Sequence, residues 1–522
     1  MATEVRQRKG TKETSKSDDN DDVATFPAFD DNVANPQQWT WSNLSSWPLS
    51  VRWAPAFVVL LVAFIAVYWN HYITQPPLDM STQESCVATF NFTFPMHAAR
   101  HQAEQLSTHS WEIGTAWQAI EELVNPEKTV FSTDPFPENV LPKQGLIVDQ
   151  ALSWVYQKIR TDGETLFDDT FSVSDPASLG VPALMLSQRF PRFKGAADRQ
   201  LDYLLNTAPR YINGAISHRR DVKELWSDAL SMFPPFLAYY GATENKTEML
   251  QLAFRQIQLY RDVLQFSHGP KIGLWMHSKG PSELADEGAW STGNGWAAYG
   301  MGRVRATMAG WAPAKPVLGE EIGKLDQYIG EILDAAMRAD TDESGLLRNY
   351  LDQESWFGET SGTSLLAATA YRMALQSPQR FGEQYIAWAD RKREAVLATV
   401  DNDGFAKPAV NPLKHGSRDP VEKSPEGESF LIMMGAAWRG KCEIDGDLTE
   451  LLLTCAQTVF AWVSALSRRM SNCCRDSKHH VVNLGSRQQL SFHRSCNARS
   501  GTYPLLYSSL SLRREKQTSP IL

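Results

Sequence analysis

"NGAISH", Asn213 to His218, is a glycine-centred turn between two apolar helical stretches, and the chain repeats it. "IGLWMH" (272–277), "SGLLRN" (344–349) and "DGFAKP" (403–408) share its order of a glycine followed by two apolar residues, with Gly214, Gly273, Gly345 and Gly404 spaced 59, 72 and 59 residues apart. A period near 60 is longer than the ~33–47 residues of helix-pair solenoid repeats and suits two longer helices with two loops. About six such hairpins fill His97 to Arg439. Closing them into a ring leaves no exposed repeat ends and gathers equivalent turns at one mouth. Four residues past each glycine stand His218, His277 and Asn349, as a binding rim would need, while Pro408 breaks the pattern in the fourth turn.

Apolar residues at helical spacing surround these turns. They predict helices around 111–123, 149–159, 176–188, 196–207, 225–240, 249–266, 296–308, 320–337, 362–375, 381–397 and 425–438. Strand-like alternation is scarce, so the fold class is all-α.

The two ends of the chain differ from this middle. Residues 1–50 are polar and low in aliphatics and read as a disordered tail. Residues 53–69, "WAPAFVVLLVAFIAVYW", are seventeen uncharged, mostly apolar residues with aromatics at both ends, near the ~17–25 a bilayer needs. They are expected to form a single transmembrane signal anchor, because a cleaved leader would begin close to residue 1. A stalk is expected over 70–96, the helical domain over 97–440, and an atypical, partly disordered segment over 441–522. That last segment holds Cys473, Cys474, His479 and His480, whose adjacent pairs do not match zinc-ligand spacing. The triplets at Asn91 and Asn245 suit a lumenal or extracellular domain. A formal charge of -9 without a long basic block disfavours a nucleic-acid partner.

Candidate chemistry begins at "ELWSDALSMFPPFLAYYG", Glu224 to Gly241, where Leu225, Asp228, Ala229, Met232, Phe236 and Tyr239 share one helical stripe. An ionised carboxylate among Leu, Met and Phe must be paired, hydrogen-bonded or protonated. Asp228 is either the cap of a helix starting at Ala229 or an acid whose proton affinity the apolar surroundings, Trp226 included, raise toward acid/base duty. Asp175 precedes Pro176 as a standard helix start, and its interest lies in pairing with Asp228, since glycosidic chemistry commonly needs two facing carboxyls.

"WSTGNGWAAYG", Trp290 to Gly300, sets Gly293, Asn294 and Gly295 between Trp290 and Trp296. This arrangement suits a sugar ring between aromatic walls with Asn294 bonding its hydroxyls, or else a glycine-assisted close crossing of helices. "WFGETSGTSLL" adds Trp356 to the candidate binding aromatics, with Glu359 a helix cap or a third carboxylate. "DTDESG" (340–345) imitates a calcium loop, but Leu351 stands where the loop needs Glu, so an inter-helix turn is expected.

Taken in order, "LWSDALSMFPPFLAYYG", "GLWMH", "WSTGNGWAAYGMGRV", "GLLRNYLD" and "ETSGTSLLAATAYR" resemble the unsaturated rhamnogalacturonyl hydrolases of glycoside hydrolase family 105, particularly fungal-type members, over roughly residues 100–440. The resemblance implies an (α/α)6 barrel of six helical hairpins. It also implies removal of a 4,5-unsaturated uronate from pectin-derived oligosaccharides by hydration of the C4=C5 double bond. Within it, Asp228 looks like the general acid/base and Asp175 like the second essential carboxylate. His218 and His277 resemble substrate-binding histidines, and Trp290 and Trp296 pocket walls. Many bacterial members have Arg where this chain has Thr292, a natural partner for the substrate carboxylate. His277 or Arg219 is the expected electrostatic substitute.

A monomeric hydrolase acting on an oligosaccharide with no metal or cofactor, attached to a membrane through one helix, is the leading expectation. Its rivals are a conventional inverting glycosidase on saturated glycosides and a catalytically decayed glycan-binding surface protein.

Overall fold

The computed structural model describes residues 96–145, 148–414 and 416–442. The polar tail, the expected anchor, all but the end of the stalk, Asn91 and the segment after 442 lie outside the described residues. Among the described residues, no helix is long and apolar enough to cross a membrane.

Helices dominate, and they come in pairs. In chain order they are α1 (Met96–Leu106), α2 (Ser110–Val124), α3 (Gln150–Val155), α4 (Gly180–Ser187), α5 (Arg192–Asp202), α6 (Ala229–Thr243), α7 (Thr247–Leu264), α8 (Ser291–Gly310), α9 (Gly319–Ala339), α10 (Thr360–Gln376), α11 (Glu383–Leu397) and α12 (425–442). Even-numbered helices are buried almost all round: in α6, every residue from Ala229 to Ala242 is buried. Odd-numbered helices such as α9 keep one buried face, from Leu325 through Ile329 to Ala336, and turn charged residues outward. The result is a helical barrel with an inner and an outer layer.

The inner layer closes on itself. α2 packs on the 3₁₀ turn Asp175–Leu179 that leads into α4, α4 meets α6, α6 meets α8 and α8 meets α10. α12 then bridges α10 and α2: a Cβ on Gly427 would meet Ser361 Oγ of α10 at 3.1 Å, and Arg439 Nη2 donates to the Leu123 carbonyl of α2 at 2.8 Å, while Trp296 of α8 lies edge-on to Phe430, 4.7 Å between rings. Close approach needs small residues, and a Cβ on Gly300 of α8 would meet the Leu230 carbonyl of α6 at 2.2 Å.

Pro234 and Pro235 lie inside α6 and do not split it into two elements. Pro235 has no N–H to offer the Ser231 carbonyl four residues earlier, and Arg303 Nη1 donates to that carbonyl instead, at 3.0 Å.

All four turn glycines have φ between +77° and +96°, a region open to glycine at little cost. The carbonyl four residues past each glycine accepts a hydrogen bond from the backbone leading into the preceding inner helix or from its first residue. His218 O takes Val173 N (2.7 Å), His277 O takes Ser227 N (2.7 Å), Asn349 O takes Ser291 N (2.8 Å) and Pro408 O takes Thr360 N (2.9 Å). Proline serves as well as the others because only its C=O is used. Each turn therefore fixes the N-terminal end of a neighbouring inner helix at one mouth of the barrel.

Two short antiparallel ladders reinforce this mouth, β1 (Leu225–Trp226) with β2 (Ser278–Lys279) and β3 (Leu347–Arg348) with β4 (Gly358–Glu359). This corrects the predicted helix at its start: Leu225 and Trp226 are strand, and α6 begins only at Ala229. The stripe through Leu225 fits a helix by spacing alone, but the turn after His277 captures that stretch by pairing Trp226 with Ser278.

Candidate active site

Asp228 stands at the N-cap position of α6, yet its backbone is already helical and its carboxyl makes no capping hydrogen bond. Instead Oδ2 accepts from Ser227 Oγ at 3.2 Å and lies 3.5 Å from His277 Nε2. Asp175 repeats this arrangement one hairpin earlier. Its carboxyl makes no cap, accepts from Ser174 Oγ at 3.2 Å and lies 4.0 Å from His218 Nδ1. The repeated turn thus makes two His–Asp pairs, each joining a histidine of one turn to a carboxyl at the start of the preceding inner helix.

Trp226 sits between the two histidines. Its ring stacks on His218 at 4.6 Å and 13°, and meets His277 edge-on at 5.1 Å. Its Nε1 donates to Glu224 Oε2, while the ring of Phe171, 40% exposed, lies 6.1 Å away. Trp226 and Phe171 form an aromatic wall beside the carboxyls, a surface suited to the apolar face of a sugar.

Electrostatics in this mouth favour protonated acids. Burial raises Asp228 above the ordinary carboxylate range, with His277 opposing. Burial and the charges of Asp169 and Asp228 raise Asp175 well above that range. Burial, together with the charges of His277 and Arg219, pushes His218 down to about 3, so it stays neutral and its Nδ1 shares a 2.7 Å hydrogen bond with Ser174 Oγ. Behind His277, Asp286 Oδ2 lies 3.1 Å from Nδ1 and accepts from the Tyr350 hydroxyl. Burial opposes ionisation of Asp286, but these hydrogen bonds hold it well below the usual range.

The remaining expected residues divide. Trp290 is 1% exposed and stands 4.7 Å from the His277 ring, with Nε1 donating to Asn349 Oδ1, so it backs the histidine as a buried support and not as an open wall. Asn294 is not a hydroxyl ligand: Oδ1 accepts from Trp275 N at 2.8 Å, and Nδ2 donates to the carbonyls of Trp275 and Trp290. Thr363 of α10 does the equivalent job, accepting from Leu347 N two residues past Gly345. Gly293 serves a close crossing, since a Cβ there would meet Ser227 Oγ at 2.5 Å. Trp296 is 3% exposed on Phe430 inside the barrel, and Trp356 packs on Tyr350 under Arg418, at one remove from the acids.

Glu359 is a helix cap, accepting from Ser361 N and Gly362 N. Arg219, the expected substitute cation, is engaged already: its guanidinium bonds both oxygens of Asp221 and lies 3.7 Å from Glu224. "DTDESG" is an inter-helix turn in which Asp340 receives Trp388 Nε1 and Lys392 Nζ.

Sequence reasoning missed Asp286, Tyr350, Phe171 and Glu426. No periodic signal marks the first three. Glu426 is the second residue of α12, as Thr292 is of α8 and Ser361 of α10, and the Pro425 start of that helix could have revealed it.

The sequence profile described as Glycosyl Hydrolase Family 88 matches residues 141–420, more than half of the chain. The chain belongs to glycosyl hydrolase family 88. This family 88 member is a glycoside hydrolase, and its matched segment contains both His–Asp pairs. Its fold is similar to that of a possible member of family 105 from Klebsiella pneumoniae, with TM-score 0.50 at 16% identity, covering 63% of this chain and 82% of that one. It is likewise similar to a family 105 glycoside hydrolase from C. acetobutylicum, with TM-score 0.51 at 13% identity, covering 66% of this chain and 99% of that one. Likenesses at this identity show a shared fold, in accord with the motif resemblance to family 105. Among curated proteins no relative matches the chain.

Proposed function

We propose that this family 88 hydrolase removes a 4,5-unsaturated uronate from pectin-derived, rhamnogalacturonan-type oligosaccharides by hydrating the C4=C5 double bond, on an (α/α)6 barrel of six hairpins. The observation that carries the proposal is Asp228, a mostly buried carboxyl at the mouth with no capping role and His277 3.5 Å away.

Hydration of an enol ether needs one group that gives a proton to C4 and then takes one from the water attacking C5. A carboxyl whose proton affinity is raised by burial, with an imidazole beside its carboxylate form, suits both halves. The hemiketal so formed at C5 opens and releases the neighbouring sugar. Asp175, facing the same mouth, orients substrate and water. His218, His277 and Trp226 form the wall against which the uronide lies.

The apolar run at 53–69 and the exposed triplet asparagine at Asn245 support attachment to a membrane by one helix with the enzyme on the lumenal or extracellular side. Asn245 follows the C-terminal end of α6, so a glycan there would leave the opposite mouth open.

The route of water distinguishes this reading from an inverting glycosidase. Turnover in D₂O should place deuterium at C4 of the released uronate, read by NMR. Absence of that label with solvent oxygen at the anomeric carbon of a saturated substrate would defeat the hydration reading.

A further inference from the structure

We propose that Glu426 is a further substrate-binding residue, which hydrogen-bonds the carboxylate of the uronide through the oxygen that Trp111 leaves open. The inference rests on the hydration reading above and names how its anionic substrate is held.

Glu426 is 3% exposed near the start of α12. Its Oε1 accepts from Trp111 Nε1 at 2.7 Å, and no hydrogen bond or ion pair among the described residues reaches Oε2. It is not the helix cap, a role filled by Ser424, whose Oγ accepts from Gly427 N at 3.1 Å. A buried carboxyl with one hydrogen bond and no cation is expensive unless it has a further task or carries a proton.

Burial and the acidic groups around it favour the protonated form. Burial first, and then the carboxyls of Asp228 before α6, Glu112 of α2 and Asp175 before α4, raise Glu426 well above the ordinary carboxylate range, with the Trp111 bond opposing. Held neutral, Glu426 presents an O–H to the mouth, and a neutral acid in such a setting serves as a hydrogen-bond donor. This supplies what Thr292 cannot. The pocket has no Arg at that position and Arg219 is bound to Asp221, so a protonated Glu426 adds a donor for the anion beside the His277 imidazole. Uronide binding is then linked to proton retention, and its affinity declines as pH rises.

The test is steady-state kinetics of the full chain on lyase-generated unsaturated oligosaccharides from pH 5 to 8, with wild type, Glu426→Gln and Glu426→Ala. Loss of a hydrogen bond to a charged group predicts a KM about tenfold higher in Glu426→Ala, with kcat changed by less than about threefold. Glutamine keeps a neutral donor, so Glu426→Gln should keep the wild-type KM at pH 5 and lose the rise of KM toward pH 8. A Glu426→Gln KM raised like that of alanine, or a KM unmoved in both variants, would overturn the inference. Should Glu426→Ala fail to fold, Glu426→Gln alone decides. Wild type that leaves the double bond intact would defeat the hydration reading itself, an outcome visible before any variant is compared.

Discussion

His277 Nε2 lies 3.5 Å from Asp228 Oδ2, while Nδ1 of the same ring lies 3.1 Å from Asp286 Oδ2. The imidazole is thus fixed from behind by an ionised carboxylate and presented to the acid at the mouth. Its charge opposes the effect of burial on Asp228. His277→Asn should therefore raise the proton affinity of Asp228 further and move the basic limb of the kcat profile to higher pH. It should lower kcat by less than the ~10²–10⁴-fold expected from losing the acid itself. A basic limb that moves to lower pH would contradict the assignment.

Trp226 fills the gap between His218 and His277 and, with Phe171, forms the aromatic wall beside the carboxyls. Truncation to Ala removes the wall and frees both rings, and aromatic contacts of this kind are worth about 0.5–1.5 kcal/mol beyond their area. Trp226→Ala is expected to raise KM several-fold, and Trp226→Phe less. Equal KM values in wild type and Trp226→Ala would remove Trp226 from the binding surface.

Asn294 predicts the opposite pattern. Its amide joins Trp275 to Trp290 through backbone bonds, and leaving such buried groups unpaired costs about 1–3 kcal/mol. Asn294→Ala should lower the melting temperature while the folded enzyme keeps its wild-type KM. A large KM change at unchanged melting temperature would restore Asn294 as a sugar ligand.

The same repeat explains what was legible beforehand. Glycine turns and apolar periodicity are local properties, so Gly214, Gly273, Gly345 and Gly404 and the inner helices could be read from spacing. His218 and His277 followed because they ride on those turns. Asp228 was ambiguous between cap and acid, since both place an Asp before Ala229, and only the absence of a capping bond separates them. Asp286 was not legible because loop closure brings its partner His277 to it, and Glu426 was marked only as the residue after Pro425 at a helix start, since the ring joining α12 to α2 is what brings Trp111 to it. Asn294 was misread because a buried amide bonding backbone and one bonding a sugar have the same sequence.

Buried acids also set the stability profile. Burial pushes Glu121 up to about 8 and Glu428 up to about 9, and raises Asp175 and Glu426 well above the usual range. Each holds a proton in the folded state that the unfolded chain releases near pH 4 to 5, so the folded state is favoured below that range and loses stability as pH rises through the folded values. The melting temperature should fall steadily from pH 5 to pH 9, and Glu428→Gln should flatten the upper part of the decline. A melting temperature that rises over this interval would contradict the sign.

The most direct test of the central claim follows the ultraviolet absorbance of the C4=C5 double bond in lyase-generated rhamnogalacturonan fragments, with wild type and Asp228→Asn compared at equal folded concentration. The account predicts that wild type abolishes the absorbance as the uronate is released, and that Asp228→Asn retains substrate binding but is slower by ~10²–10⁴-fold. Absorbance that persists with folded wild type, or that disappears equally fast with Asp228→Asn, would contradict it.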